Sequence, residues 1–399
     1  MAKAVWSTAL PQFILLYAAL YGAFGVASPF LPALLSAHGL PVAQLGLVLG
    51  AGTAVRVLTA PLAGRLGDVL QRLRVVLVVC TALAGAITLG YLPAYGLRPL
   101  LALSLGHAAA LGPVPVLADA LALGAAAPPP GSSHRGFEYG WVRGTGSAAF
   151  IGGTVLAGQA VSVWGLDVIV GWQALLLGAA AGAAILVPEL RHTGSAAVVR
   201  MPAGGVRLLL QLPRFRQLVL VAALILGSHA MHDAFAVLRW GAAGISPATV
   251  SVLWSESVAA EVLVFFLIGP ALVTWLTPAG ALAVAALAGM LRWMVMAQST
   301  AVLVLALVQP LHGLTFALLH LACMRLLARI VPPGLEGTAQ ALYGTVGIGV
   351  TTAGLTLVAG VLYARVGAHG FWAMAALCAL ACPLTWQLRQ PASHARRTS

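Results

Sequence analysis

Long apolar stretches recur along the whole chain, and shorter polar segments separate them. Most of these stretches reach the ~20 residues that an α-helix needs to cross the hydrocarbon core of a bilayer. Because backbone groups in lipid must be paired within a segment, such unbroken runs predict membrane-spanning helices and exclude a barrel of alternating strands. Hydropathy windows place about twelve spans, near residues 10–35, 40–62, 75–95, 99–123, 137–163, 168–188, 215–238, 247–268, 271–290, 291–324, 335–363 and 368–388.

Composition supports an all-α polytopic membrane protein with a polar interior. Hydrophobic residues make up 61% of the chain, above the ~45–50% that is usual for soluble domains. Only 21 Lys and Arg and 9 Asp and Glu are present among 399 residues, and several of them fall inside the apolar stretches. Charges at such depth are costly, so we expect them to face a wet cavity where the function resides.

The basic residues are distributed unevenly between alternate loops. If the N-terminus is cytoplasmic, most Lys and Arg residues fall on that side, and only Arg98, Arg239 and Arg365 fall on the other. This asymmetry predicts an even number of spans with both termini cytoplasmic, as in a bacterial inner membrane. The net charge of +12 is then expected to orient the chain and attract anionic lipid rather than nucleic acid.

Other sequence signals narrow the class of protein further. The first apolar stretch is long and lacks a small-residue cleavage site, which predicts a first helix rather than a signal peptide. The four cysteines lie in apolar stretches without metal-like pairing and are expected to pack. No phosphate loop, nucleophile elbow or metal triad appears, so we predict neither an enzyme nor a bound metal or cofactor.

One long polar interruption divides the chain into similar parts. Residues 191–214 are rich in basic residues, Gly and Pro, and they predict a cytoplasmic linker between two six-helix bundles. The bundles would span residues 1–190 and 215–390, and a cytoplasmic tail would follow at 391–399.

The two predicted bundles also resemble each other in sequence. Tyr139-Gly140 is echoed by Tyr343-Gly344, and the run from Ala118 to Pro129 aligns with the run from Ala322 to Pro333. A self-similarity at an offset of roughly 200 residues indicates an internal repeat. Two bundles of the same plan are therefore expected.

The loop between the second and third predicted spans carries a specific motif. The segment from Gly64 to Arg72, with Asp68 between them, resembles the second-to-third-helix loop motif of the major facilitator superfamily, which is built from parallel six-helix repeats. The resemblance implies a solute site between the halves near the bilayer midplane. It also implies a cytoplasmic latch in which Asp68 caps the next helix and pairs with Arg72; a merely solvated turn is the alternative.

Six polar residues inside predicted spans are site candidates. An ion at the bilayer centre costs ~2.5–3.5 kcal/mol even on the mild insertion scale, so each is expected to pair and to face a cavity. They are Asp119, Arg143, Asp233, Glu261, Arg292 and His312.

The segment from Phe137 to Gly146, which contains Arg143, resembles the fifth-helix motif of the lactose permease and of phenylpropionate permease-like symporters. This resemblance implies that Arg143 reaches a substrate oxygen and pairs with a fourth-helix carboxylate, a place that Asp119 occupies here. A structural pair at the cytoplasmic edge is the alternative, because side chains near helix ends snorkel easily.

Arg292 and His312 reproduce the spacing of a ninth-helix Arg and a tenth-helix His in the lactose permease, and Glu261 stands near the place of that family's eighth-helix carboxylate. Thr315 replaces that family's tenth-helix carboxylate, and Gln309 replaces its Lys. Proton coupling would then fall to Glu261 or Asp233, with His312 as relay. On the seventh span, His229 and Asp233 are four residues apart and are expected to share a face, with His232 turned aside.

Aromatic residues accompany the charged positions. Tyr21 lies on the first span, Trp141 is two residues before Arg143, and Trp254 precedes Glu261 on the eighth span. Such rings are expected either to stack against a planar ligand or to pack and anchor the helices.

These features predict a monomeric secondary transporter that binds a small organic solute between its halves and moves it with protons. Two buried arginines favour an organic, especially aromatic, carboxylate, and a sugar or nucleoside symporter is the alternative. Met290 with Met294, and His320 with Met324, are each one turn apart, which leaves copper transport open. An efflux antiporter and a non-transporting sensor also stay open.

Overall fold

The residues described by a computed structural model are 9–127, 136–189 and 204–389, without the side chain of Asp68, and they form helices and no strands. Ten helical stretches in this part of the chain are long and apolar enough to cross a membrane. A count of twelve requires the shorter apolar helix Leu73–Leu89 and a division of the last stretch, Glu336–Leu388, at the tight turn Gly367–Gly370. The prediction of an all-α, multi-pass membrane protein is confirmed.

Both halves of the sequence are helical, and the second half is divided into more and shorter helices. The first half contains α1 Leu10–Ala27, α2 Leu31–Ala37, α3 Val42–Leu70, α4 Leu73–Leu89, α5 Leu97–Leu111, α6 Val114–Ala126, α7 Tyr139–Trp164 and α8 Val168–Leu186. The second half contains α9 Gly205–Gln211, α10 Pro213–Gly227, α11 Ala230–Ala242, α12 Pro247–Leu263, α13 Gly269–Leu276, α14 Pro278–Gln298, α15 Val302–Val308, α16 Leu319–Ile330, α17 Glu336–Leu342, α18 Thr351–Val366 and α19 Phe371–Leu388.

Backbone contacts group these helices into two compact units. Unit 1 contains the described residues up to 189 together with Ala234–Ser255, and unit 2 contains the remainder. The grouping differs from the predicted bundle boundaries, because the end of α11 and the start of α12 pack with unit 1. Of the predicted linker, residues 191–203 lie outside the described residues, whereas α9 begins within it at Gly205.

Glycines allow α1 and α7 to touch along their backbones in unit 1. A Cβ atom built on Gly25 would lie 2.1 Å from the carbonyl oxygen of Phe150, and one on Gly153 would lie 2.6 Å from that of Gly22. Small residues are what permit such close helix crossings in membranes. The crossing places Tyr21 of α1 beside the N-terminal turns of α7.

A second close crossing shapes unit 2. A Cβ atom on Gly313 would lie 2.6 Å from the carbonyl oxygen of Ala260 on α12. Gly313 sits between a 3-10 turn, Gln309–Leu311, and a π-helical turn, Leu314–Leu318. The crossing thus sets His312 next to Glu261, since each is the chain neighbour of a residue in contact.

The predicted boundaries of the ninth and tenth spans were wrong. The sequence placed a break near Pro270, but the helix continues to Leu276 because a π-helical turn at Val264–Ile268 precedes the proline. The break comes at Thr277, where φ is +64° and the hydroxyl accepts the N–H of Gly280 at 3.3 Å. The ninth span is therefore Pro278–Gln298, and the tenth starts at Val302.

The internal repeat is visible in matching structural details. Gly165 ends α7 and Gly367 ends α18, both with positive φ, a conformation in which glycine carries no steric penalty. In unit 1 the hydroxyl of Tyr139 contacts Asp119. At the same offset in unit 2, the Tyr343 hydroxyl lies beside the Cys323 thiol.

Candidate substrate and proton site

A carboxylate with two tyrosine donors forms the centre of a polar cluster in unit 1. Asp119 lies on α6, and its Oδ1 accepts hydrogen bonds from the hydroxyls of Tyr17 and, at 2.8 Å, Tyr139. The Arg143 Nη1 lies 3.8 Å from the same oxygen. Asp119 thus has two hydroxyl donors and a guanidinium around one oxygen.

Arg143 has a second partner in this cluster. Its Nη1 donates to the Tyr21 hydroxyl, and its guanidinium carbon lies 5.2 Å from the centre of the Tyr21 ring. Tyr21 stacks on Tyr17 at 5.4 Å, and Gly146 leaves room for both rings, since a Cβ there would lie 3.1 Å from Tyr21. About a third of the Asp119 and Arg143 side chains is exposed (34% and 36%), so the pair is not sealed inside the bundle.

Unit 2 contains a fully buried arginine. Arg292 on α14 has no exposed surface, and its Nε and Nη2 both donate to Oε1 of Gln309, at 3.3 and 3.0 Å. The guanidinium carbon lies 4.7 Å from the centre of the Trp293 ring. A cation–π contact and an amide acceptor thus replace part of the hydration that the charge lost on burial.

Arg292 also connects to Glu261 through a histidine. Its Nη1 lies 3.1 Å from Nδ1 of His312, whose Nε2 lies 3.4 Å from Oε2 of Glu261. Because a guanidinium has only donors, we assign Nδ1 of His312 as the acceptor and place the ring hydrogen on Nε2, directed at Glu261.

A second histidine, His232, connects Arg292 to Asp233. Nη2 of Arg292 lies 3.4 Å from Nε2 of His232, whose Nδ1 lies 3.1 Å from Oδ1 of Asp233. We therefore assign the hydrogen of His232 to Nδ1, which donates to the carboxylate. We call the series Asp233, His232, Arg292, His312 and Glu261 the unit 2 relay.

The expected roles of the two neighbouring histidines were reversed. His232, predicted to be turned aside, makes the contact with Asp233, whereas His229 packs its ring 5.2 Å from both Trp293 and His312. His229 directly precedes α11, and the N–H of Asp233 donates to its carbonyl at 2.9 Å, so the contact of His232 with Asp233 arises from side-chain orientation rather than from helical spacing. The adjacency of His232 to Asp233 was the only sequence signal for the observed contact.

Comparison with known proteins identifies the family. The family model for the MFS_1-like family matches residues 10–374. The chain is 32% identical over 364 residues to the probable 3-phenylpropionic acid transporter of Escherichia coli (strain K12), an alignment that covers 90% of this chain and 92% of that protein. The chain belongs to the MFS_1-like family.

Solved transporters share the fold of this MFS_1-like protein. The crystal structure of the nucleoside transporter NupG has a TM-score of 0.78 at 15% identity and covers 94% of this chain and 97% of that one. The human organic anion transporter MFSD10 (TETRAN) has a TM-score of 0.62 at 20% identity, with coverage of 95% and 99%. At these identities the likeness shows a major facilitator fold, as the sequence resemblance implied.

The latch expected in this family is only partly described. The Asp68 side chain is not among those that the structure describes. A Cβ atom built on Gly64 would have no neighbour within 4 Å. Arg72 precedes α4 without a side-chain cap. The latch of Gly64, Asp68 and Arg72 therefore stays a prediction.

Arg74, two residues after Arg72, forms an ion pair with Glu189 that was not predicted from the sequence of this MFS_1-like protein. The Nε of Arg74 lies 3.3 Å from Oε2 of Glu189, and its Nη1 donates to the Val187 carbonyl at 3.1 Å. This contact ties the start of α4 to the end of α8. No local spacing joins residues so far apart in the sequence, so no motif could have shown it.

The remaining predicted positions are less closely grouped. Trp141 is 68% exposed, and Trp254 is buried in unit 1. Thr315, at the place of the related carboxylate, is buried and donates to the His312 carbonyl at 3.2 Å. Gln309, noted only as a departure from the lactose permease, is the main acceptor for Arg292.

The residues that left metal transport open lie in packed surroundings. His320 has its ring 5.7 Å from Phe265 and 6.2 Å from Tyr343. Within the described part of the chain, no group of three or more His, Cys, Asp and Glu side chains is arranged to hold a metal ion.

Proposed function

We propose that this MFS_1-like protein is a secondary transporter that moves a small aromatic or other organic carboxylate together with protons by alternating access. The observation that carries the proposal is the unit 2 relay, in which a buried arginine links two carboxylates through two histidines. The series places two carboxylates, each able to carry a proton, at the ends of a chain of imidazole and guanidinium contacts.

Glu261 is the proton carrier in this proposal. Its side chain is 27% exposed, so water reaches it, whereas Arg292 behind it is fully buried. Protonation of Glu261 removes a negative charge next to His312 and changes how strongly the histidine hydrogen is held. Asp233, with 57% of its side chain exposed, occupies the equivalent position at the other end of the series.

An organic carboxylate is the proposed solute for two reasons. The relative with 32% identity is a probable 3-phenylpropionic acid transporter and aligns over most of both chains. In addition, the interior holds guanidinium groups near aromatic rings, as at Arg143 with Tyr21 and at Arg292, and such groups suit a carboxylate on an apolar body. Asp119, Trp141 and Trp254 complete the proposed substrate contacts.

The proposed setting follows from the charge distribution of the sequence. The protein would work in a bacterial inner membrane with both termini cytoplasmic, in contact with anionic lipid and as a monomer. Tags at either end that react with a membrane-impermeant reagent in intact cells would contradict this orientation.

Reconstituted liposomes with an internal pH indicator test the function. On addition of 3-phenylpropionate, we expect internal acidification beyond that of protein-free liposomes, lost in Glu261→Gln and retained in Glu256→Gln, a matched change on the same helix. Counterflow of labelled 3-phenylpropionate, which needs no net proton movement, should survive in Glu261→Gln.

Other outcomes would redirect the proposal. Acidification with neutral sugars or nucleosides but not with the acid would establish the alternative class of symporter. Full acidification in Glu261→Gln would remove this residue from coupling, and labelled acid flux without any proton movement would refute symport.

A further inference from the structure

A cavity of about 300 Å³ lies inside unit 1, next to the polar cluster described above. Helices α1, α3, α7 and α8 contribute to its walls, together with residues near the junction of α5 and α6. Its polar and aromatic lining consists of Phe24, Ser28, Arg56, His107, Phe150 and Gln173. The volume is at the lower end of the ~300–1,000 Å³ typical of small-molecule sites.

Arg56 is the charged group of this cavity. It lies in the middle of α3, a helix long and apolar enough to span a membrane, and its side chain is exposed, as expected of a residue that lines a cavity. Among the side chains that the structure describes, none forms a hydrogen bond or an ion pair with Arg56. An unpaired guanidinium at this depth is unfavourable, so the site is complete only with an anion.

Two buried side chains add unused hydrogen-bonding capacity. His107 is 3% exposed, and its Nε2 has no hydrogen-bond partner within the described chain. Gln173 is 4% exposed, and its amide makes no hydrogen bond to any described residue. Buried polar groups are nearly always paired in native proteins, and a bound ligand is one explanation for exceptions.

The apolar part of the lining fits an aromatic body. Phe24 and Phe150 both face the cavity, and Phe24 makes an edge-on contact with Tyr21 at 5.5 Å. The cavity therefore adjoins the cluster of Tyr21, Arg143 and Asp119. Aromatic walls beside one cation suit an arene or alkyl group that carries a single carboxylate.

We propose that this cavity is the binding site for the carboxylate of the transported solute, an inference that rests on the proposed function. Arg56 pairs with the carboxylate, His107 donates from Nε2, Gln173 donates from its amide, and the apolar body lies against Phe24 and Phe150. Arg143 and Arg292 already have partners in Tyr21 and Gln309. Arg56 is thus the arginine that pairs directly with the acid, and Arg143 and Arg292 contribute to the proposed site through their positive charge.

Equilibrium binding of labelled 3-phenylpropionate to purified protein, compared with its neutral amide, tests the assignment. We expect the wild type to prefer the acid and Arg56→Gln to bind it about 10- to 100-fold more weakly, the equivalent of one charged hydrogen-bonded pair. The preference over the amide should vanish. Arg98→Gln, which removes an exposed arginine at the start of α5, should bind like the wild type.

If Arg56→Gln folds poorly, a second variant, Gln173→Glu, tests the same binding site. The new carboxylate offers Arg56 an internal anion, so we expect a higher melting temperature and loss of acid binding. Acid binding at wild-type strength and selectivity in either folded variant would overturn this site while leaving the transport proposal intact. Absence of acid binding and of acid flux in the wild type would instead refute the proposed function and, with it, this site.

Discussion

Arg292 donates two hydrogen bonds to one oxygen of Gln309, and both side chains are fully buried. Among the residues that the structure describes, its other hydrogen-bond partners are ring nitrogens of His232 and His312. A neutral amide is therefore the strongest direct acceptor for a charge in the interior of unit 2.

Replacement of Gln309 by leucine should destabilise the protein. Arg292 would lose the acceptor of two donors without gaining another, at a cost of about 1–3 kcal/mol or more for a charged group. The melting temperature in detergent should fall, whereas Gln298→Leu should have little effect, because Gln298 is exposed and donates only to the Met294 carbonyl at 3.0 Å. Equal melting temperatures for the two variants would contradict this account of Arg292.

The effects on stability of removing the Tyr17 and Tyr139 hydroxyls, which both donate to Asp119, should depend on each other. Tyr17→Phe and Tyr139→Phe each remove one hydrogen bond to a charged acceptor, worth about 1.5–3 kcal/mol. Since both hydroxyls contact the same oxygen, the double variant should deviate from the sum of the single changes. Thermal unfolding of the three variants measures the deviation, and strict additivity would show that the tyrosines act independently. Tyr95→Phe, on an exposed tyrosine, is the control.

A methyl group at Gly313 should separate His312 from Glu261. The added Cβ would approach the Ala260 carbonyl to 2.6 Å, so the two backbones must move apart. We expect Gly313→Ala to lower the melting temperature and to abolish acid-driven proton flux in liposomes. Gly354→Ala, at a helical glycine with open space around it, should be neutral or stabilise by about 0.4–1 kcal/mol. Normal flux in Gly313→Ala would show that the close crossing is not needed.

His38 should matter more for stability than its ion-pair partner. Its Nε2 lies 2.9 Å from Oδ1 of Asp167, its Nδ1 lies 3.0 Å from the Ala94 carbonyl, and its ring stacks on Tyr95 at 4.7 Å. Asp167 is 60% exposed, so Asp167→Asn should cost less than about 1 kcal/mol. His38→Ala removes all three contacts from a buried position and should lower the melting temperature clearly more. The reverse order would assign the stability to the charge pair.

The sequence predicted the helices and several grouped charges because both produce local signals. A long apolar run predicts a membrane span from its own composition. A charged side chain inside such a run is expected to have a polar or charged partner. Arg292, His312 and Glu261 were expected together, and the structure brings them together. Asp119 and Arg143 likewise lie side by side.

The hydrogen-bond partners of those charged residues could not be predicted from local sequence. Gln309 and the two tyrosines on Asp119 are neutral, and nothing in an apolar sequence distinguishes a neutral acceptor from a packing residue. The choice between His229 and His232 depended on side-chain partners, since His229 packs against Trp293 and His312 from distant parts of the sequence. The cavity around Arg56 is formed by several helices, so its shape is a property of packing alone.

The matching places of Asp119 with Tyr139 and of Cys323 with Tyr343 show what this pairing of helices requires. The second half builds the same pair of helices around a neutral thiol, so this helix pairing does not itself demand a carboxylate. At these matched positions the charge of Asp119 is therefore a feature of the first half alone, and a bundle built on the same plan closes around an uncharged pair.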